Sequence, residues 1–242
     1  MPIFDAEGRM IVAEGADCGG RRITRTDMTT GKSVILANTY QGQPFNFPND
    51  VAIDAQGRIY FTDSRYIGHE PITQPVFAVY RIDPDGSVHR IIADLGKPNG
   101  IAISPDQKTL YVSDFDDGLP DFREKVDDMS HRRGAMALIA FDLMPDGAVQ
   151  NKRKLVDYAP HDGADSLMMG NSGQVYAAIR NQSQSGIAVY ASDGTEQAFI
   201  PTPEIPTNMA FGREEEKYIL YITAGKSLYK IQTTQQGYFL AP

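Results

Sequence analysis

Cysteine is nearly missing from this chain: Cys18 is the sole cysteine among 242 residues. No intrachain disulfide and no cysteine-based zinc site can therefore form. Beside Gly19-Gly20, Cys18 is expected to be an ordinary, partly buried thiol. Long apolar runs are lacking too, and none approaches the ~18 residues of a membrane-spanning helix, so no membrane partner is expected. Extended basic runs are absent. The longest are Lys152-Arg153-Lys154 and His131-Arg132-Arg133, in a chain of net charge −8 and pI near 5.0. Runs this short read as solvated loop or strand-edge charge, which argues against a nucleic-acid partner. The opening residues have neither the basic start nor the apolar stretch of a signal peptide. The compartment stays open, because the organisation described below points to sequence upstream of Met1.

What is present is a repeated phrase. An inner strand, a tight turn and a second strand rich in Tyr and Phe recur as NDVAIDAQGRIYFTD from Asn49, NGIAISPDQKTLYVSD from Asn99, DSLMMGNSGQVYAAI from Asp165 and TNMAFGREEEKYILYIT from Thr207. A weaker copy, PIFDAEGRMIVAE, begins at Pro2. Apolar and polar residues alternate over short runs broken by Asp-Gly, Pro-Asp or Asn-Ser-Gly, which is hairpin chemistry. Two further strands follow most copies, for example FAVYRIDPDG with SVHRIIAD. Four-stranded units at intervals of about 40 to 50 residues are the signature of propeller blades. A β-sandwich gives no reason for repeats in register. One all-β propeller domain over 1–242 is expected, with about five blades in the chain.

Aligned on their first turns, the copies place Asn49, Asn99, Asp165 and Asn208 at one position, the start of the innermost strand. In a propeller such positions surround the central channel. Asn and Asp are poor strand formers, so their recurrence there is informative. Asn208 has an alternative reading as the closing residue of a local turn. Amide and carboxylate oxygens without Cys or His suit a hard divalent cation, Ca²⁺ or Mg²⁺. The four histidines share no register, which leaves a His-based metal site or a Ser-His-Asp triad without support. Loops after the second strands lie on the same face and are the natural place for substrate contacts, Arg65 and Tyr66 among them. The longest such loop, 115–133, is either a lid or a solvated excursion.

At these residues the sequence resembles the senescence marker protein, gluconolactonase and luciferin-regenerating enzyme family of six-bladed propellers. The resembling segments are FNFPNDVAIDAQGRIYFTDSRY, VYRIDPDGSVHRIIADLGKPNGIAISPDQKTLYVSD, GADSLMM and PTNMAFG with LYITAGKSLYKI. The resemblance implies one divalent cation, commonly calcium and sometimes zinc, with Asn49, Asn99 and Asp165 as three of four ligands. The fourth is a glutamate in a first blade expected to precede this sequence, together with a closing strand for the last blade. It also implies hydrolysis of a small lactone, a sugar lactone foremost, with Asp165 as both ligand and proton acceptor. Phe47 stands where some members carry a sugar-contacting arginine. Asn208, Arg65 and Tyr66 are the expected substrate contacts. The alternatives are a non-catalytic calcium-, ligand- or protein-binding propeller, or an inactive fragment of a longer lactonase. The sequence does not specify an oligomeric state.

Overall fold

Short alternating runs separated by tight turns leave each strand one edge on which to pair with the next, so the chain folds as successive antiparallel meanders. The computed structural model describes residues 2–118 and 134–240. These form two compact units, one of 2–99 with 116–118, 134–135 and Leu240, the other of 100–115 with 136–239.

In the first unit, β1 (Pro2–Phe4), β2 (Met10–Glu14), β3 (Arg22–Thr26) and β4 (Ser33–Ala37) pair in sequence order. A two-stranded hairpin follows, β5 (Thr39–Tyr40) with β6 (Gln43–Pro44). The next four-stranded sheet comprises β7 (Pro48–Ile53), β8 (Ile59–Asp63), β9 (Ala78–Ile82) and β10 (Val88–Ile92). The β7–β8 turn shows how sequence sets geometry. Asp54 Oδ1 accepts the amides of Gln56 and Arg58, and Gly57 supplies the left-handed φ of 77° that closes the turn. Ile11, Ile23, Val51, Phe45, Phe61 and Tyr80 form the core. Phe45 meets Phe61 edge-on at 4.9 Å, and Phe61 stacks on Tyr80 at 5.5 Å. Each such buried ring contributes about 2–3 kcal/mol from area alone.

The strand β11 (Pro98–Ile103) enters the second unit at Gly100 and pairs in order with β12 (Thr109–Phe115), β13 (Met136–Leu143) and β14 (Val149–Asp157). The next sheet is β15 (Ala164–Met169), β16 (Val175–Ile179), β17 (Gly186–Tyr190) and β18 (Glu196–Pro201). The last has three strands, β19 (Pro206–Phe211), β20 (Ile219–Ala224) and β21 (Ser227–Gln232). Leu138, Leu167, Val175 and Tyr190 form one core cluster, and Tyr176, Met209, Phe211 and Leu220 another.

The expected repeats thus fall on real strand pairs, and the five consecutive sheets are blades of the β-propeller class. Residues 119–133 of the expected lid loop lie outside the described residues. Its neck is paired, Asp116 N–H to Ala135 O and Gly134 N–H to Asp116 O, both at 3.0 Å. Cys18 departs from expectation: it is exposed. Its φ of 72° follows Asp17 at 61°, so the thiol sits on a left-handed turn projecting from the sheet, not inside it. No described helix is long and apolar enough to cross a membrane.

Candidate functional site

In the first unit, β7 opens on a bulge. Pro48 pairs with Asp63 but Val51 with Phe61, so one extra residue is accommodated at Asn49-Asp50. The bulge is held by its own side chain and by β8. Asp50 Oδ1 accepts Val51 N–H at 2.8 Å, and Asp50 N–H donates to Thr62 Oγ1 at 3.1 Å. Thr62 Oγ1 in turn donates to Asn99 O at 2.7 Å, and Ser64 Oγ to Pro98 O at 2.6 Å. Thr62 on β8 and Ser64 just after it therefore fix the Pro98–Asn99 backbone, while the same Thr62 steadies the bulge carrying Asn49. Asn99 is buried and Asn49 half-buried.

Asp63 ends β8 with no exposed surface and accepts the amides of Asn46 at 2.9 Å and Phe47 at 2.6 Å. Burial pushes its carboxyl up to about 7, against the two amide donors and the guanidinium groups of Arg21 and Arg65. Asn46 continues the brace, its Oδ1 accepting the amides of Thr73 and Gln74 at 2.9 and 3.0 Å.

Two expected substrate contacts lie just beyond. Tyr66 is half-buried, its hydroxyl donating to Lys97 O at 3.0 Å and its ring facing the Lys97 ammonium at 5.0 Å. Lys97 is itself ion-paired with Asp117 at 2.5 Å. Arg65, the other expected substrate contact, is only 2% exposed. Its Nη1 lies 3.9 Å from Glu70 Oε2 and its Nη2 3.5 Å from Pro71 O, so it braces the loop that carries Tyr66. The amide of Asp17 foremost, with that of Cys18, holds the Glu70 carboxyl down at about 2.

The second unit repeats the bulge twice. In β15, Ala164 pairs with Ile179 and Leu167 with Ala177, which places the extra residue at Asp165-Ser166. In β19, Pro206 pairs with Ala224 and Asn208 with Thr223, which places it at Thr207-Asn208. This corrects the alignment of Asn208. Thr207, not Asn208, matches Asn49 and Asp165, and Asn208 matches Asp50 and Ser166. The local bonds agree: Asn208 Oδ1 accepts Met209 N–H at 2.6 Å just as Asp50 accepts Val51. The same Asn208 oxygen takes the Ser166 hydroxyl at 3.1 Å, so it ties the two bulges together.

Gly100 supplies the remaining close contact. A Cβ there would lie 2.7 Å from Leu167 N and 2.8 Å from Asp165 O, so only glycine lets β11 approach β15 this closely. Ser113 Oγ donates to Ala164 O at 2.5 Å, repeating what Thr62 does in the first unit. The Asp165 carboxylate is mostly covered and its Oδ2 accepts Arg180 Nη1 at 2.6 Å. Nothing in the local sequence announces this pairing, because the two residues are 15 apart. The two residues lie on opposite sides of the antiparallel Ala164–Ile179 rung, so the long Arg180 side chain has to reach back across that rung to meet the carboxylate.

Among the described residues no three His, Cys, Asp or Glu side chains cluster as a metal site. The candidate donors are of another kind, two amide oxygens and one carboxylate, which are hard ligands matched to Ca²⁺ or Mg²⁺.

These sheets, three of them opening on a bulged strand, are the blades of a β-propeller. Residues 2–226 match the SMP-30/Gluconolactonase/LRE-like region, and the chain belongs to that family. It is 30% identical over 230 residues to a gluconolactonase of Zymomonas mobilis, covering 92% of this chain and 60% of that protein. It is 29% identical over 215 residues to the lactonohydrolase oryL of Aspergillus oryzae, covering 82% of this chain and 47% of that one. The chain therefore spans about half to three fifths of the length of these curated relatives. A solved gluconolactonase of Xanthomonas campestris superposes with a TM-score of 0.76 at 30% identity, covering 98% of this chain and 71% of that one.

Proposed function

We propose that this chain belongs to a lactone hydrolase that opens a cyclic ester, with a sugar lactone as substrate and a divalent cation, calcium first, as cofactor. Family membership supports the reaction class. The observation that carries the site is the shared bulge at the start of β7 and β15, which presents Asn49 and Asp165 at matching places in their own sheets. Asn49, Asn99 and Asp165 would hold the ion, which when bound would polarise the lactone carbonyl and stabilise the oxyanion.

The chain's own groups do the rest. Asp165 orients the attacking water and takes its proton as the water oxygen bonds to the carbonyl carbon. The acyl–oxygen bond of the ring then breaks, and the proton passes to the departing ring oxygen, which leaves as a hydroxyl of the open-chain acid. Tyr66, with its hydroxyl and ring both held by Lys97, and Asn208 are the substrate contacts. Arg65 braces the Glu70–Pro71 segment of the loop that carries Tyr66.

The test is pH-stat hydrolysis of glucono-δ-lactone above its spontaneous rate. Turnover is expected to stop with EDTA, return with CaCl₂, and fall by roughly 100-fold or more in Asp165→Asn. Turnover indifferent to chelator would remove the cation from the reading. Activity confined to non-sugar lactones would change the substrate. Inactivity on every lactone would overturn the reaction class.

A further inference from the structure

We propose that Arg180 is an internal counter-cation for Asp165: its guanidinium competes with the divalent ion for the carboxylate and sets how tightly that ion is held. The proposal rests on the reading of Asp165 as a ligand and adds to it a residue that tunes the site.

The geometry separates this pair from a structural ion pair. The backbones of both residues are fixed by other means. Ala164 and Ile179 form the last rung of the β15–β16 ladder, and Arg180 N–H donates to Gly163 O at 2.9 Å. Ser113 holds Ala164 O, and the close approach of Gly100 confines Asp165 O. The side-chain pair can therefore open without moving either strand. Its two members are unequally placed. Asp165 is 19% exposed and Arg180 37%, so the cationic partner is the one able to swing away. It also has somewhere to go, because its Cζ already lies 5.9 Å over the ring of Phe115.

A guanidinium on one carboxylate oxygen opposes a divalent ion at the other by like-charge repulsion, and it withdraws a lone pair the ion would use. A charge at this range moves a carboxylate's proton equilibrium by about 1–3 units. Deleting the charge should move its cation equilibrium by roughly tenfold, about 1.4 kcal/mol. The coupling is reciprocal: ion binding releases Arg180 towards Phe115.

The experiment is calorimetric titration of CaCl₂ into the whole chain, wild type and variants, at neutral pH, with far-UV circular dichroism to verify folding. Arg180→Gln is expected to bind Ca²⁺ about tenfold more tightly than wild type. Arg180→Ala, a second way of removing the charge, should move affinity in the same direction, and Arg180→Lys, which keeps the charge, should stay near wild type. Asp165→Asn should lose binding. If Asp165→Asn loses binding while both charge deletions leave affinity unchanged or weaker, the competition proposal is overturned and the ligand reading stands. If Asp165→Asn binds like wild type, or wild type and Arg180→Gln both bind no Ca²⁺, the ligand reading falls and takes this proposal with it.

Discussion

Asp63 is a carboxylate without exposed surface whose two oxygens meet the amides of Asn46 and Phe47. Its pKa of about 7 when folded exceeds the roughly 3.9 of an unfolded aspartate. Between those values the folded chain binds more protons than the unfolded chain. Stability should therefore fall as pH rises from about 4 to about 7 and be level above. Asp63→Asn removes that slope. It also sets an amide NH₂ against one of the two N–H donors, which should cost about 1–3 kcal/mol at pH 5. Urea denaturation at pH 5 and pH 8 checks both points: the gap between wild type and variant should shrink at pH 8. A variant that keeps the full wild-type slope would relocate the titration to another group. The Phe-Thr-Asp phrase made Asp63 visible in the sequence. Its partners were not visible, because they lie 16 and 17 residues away in a loop with no periodic pattern.

At the scale of elements, β8 pairs with β7 through its ladder and reaches the backbone of Asn99 through a side chain. Thr62 is central, because one hydroxyl receives Asp50 N–H and donates to Asn99 O. Thr62→Val keeps the shape and strands both groups, so roughly 1–3 kcal/mol of stability should be lost, seen as a lower urea midpoint at unchanged m-value. Turnover should fall with it, since Asn99 loses the bond that positions it. Ser64→Ala removes a donor from Pro98 O only and should cost less. A Thr62→Val chain as stable and as active as wild type would show that β11 is positioned by its ladder alone. The strands and turns themselves were legible from alternation and turn residues. The bulges were not. Which residue sits on the bulge is set by ladder pairing, and residue type alone favoured Asn208 over its neighbour Thr207, one position out of register.

For the whole molecule, a net charge of −8 and a pI near 5.0 disfavour polyanionic partners and leave cations and neutral solutes as the natural ligands. An ion that binds only the folded chain stabilises it by about 2.7 kcal/mol at 100-fold over its Kd. CaCl₂ should therefore raise the thermal midpoint, and EDTA should reverse the rise. A midpoint indifferent to both in wild type and in Asp165→Asn would count against ion binding. The sequence by itself determined the meander of strands, the turn chemistry and the placement of Asn49, Asn99 and Asp165 at the starts of their strands, because these depend on residue type and short-range spacing. Only the tertiary structure decided that Arg65 is buried against the Glu70–Pro71 segment, that Asn208 ties the β19 bulge to Ser166, and that Arg180 grips Asp165. Those outcomes depend on strand register, on single-residue bulges and on partners from other strands, none of which a local pattern of apolar and polar residues encodes.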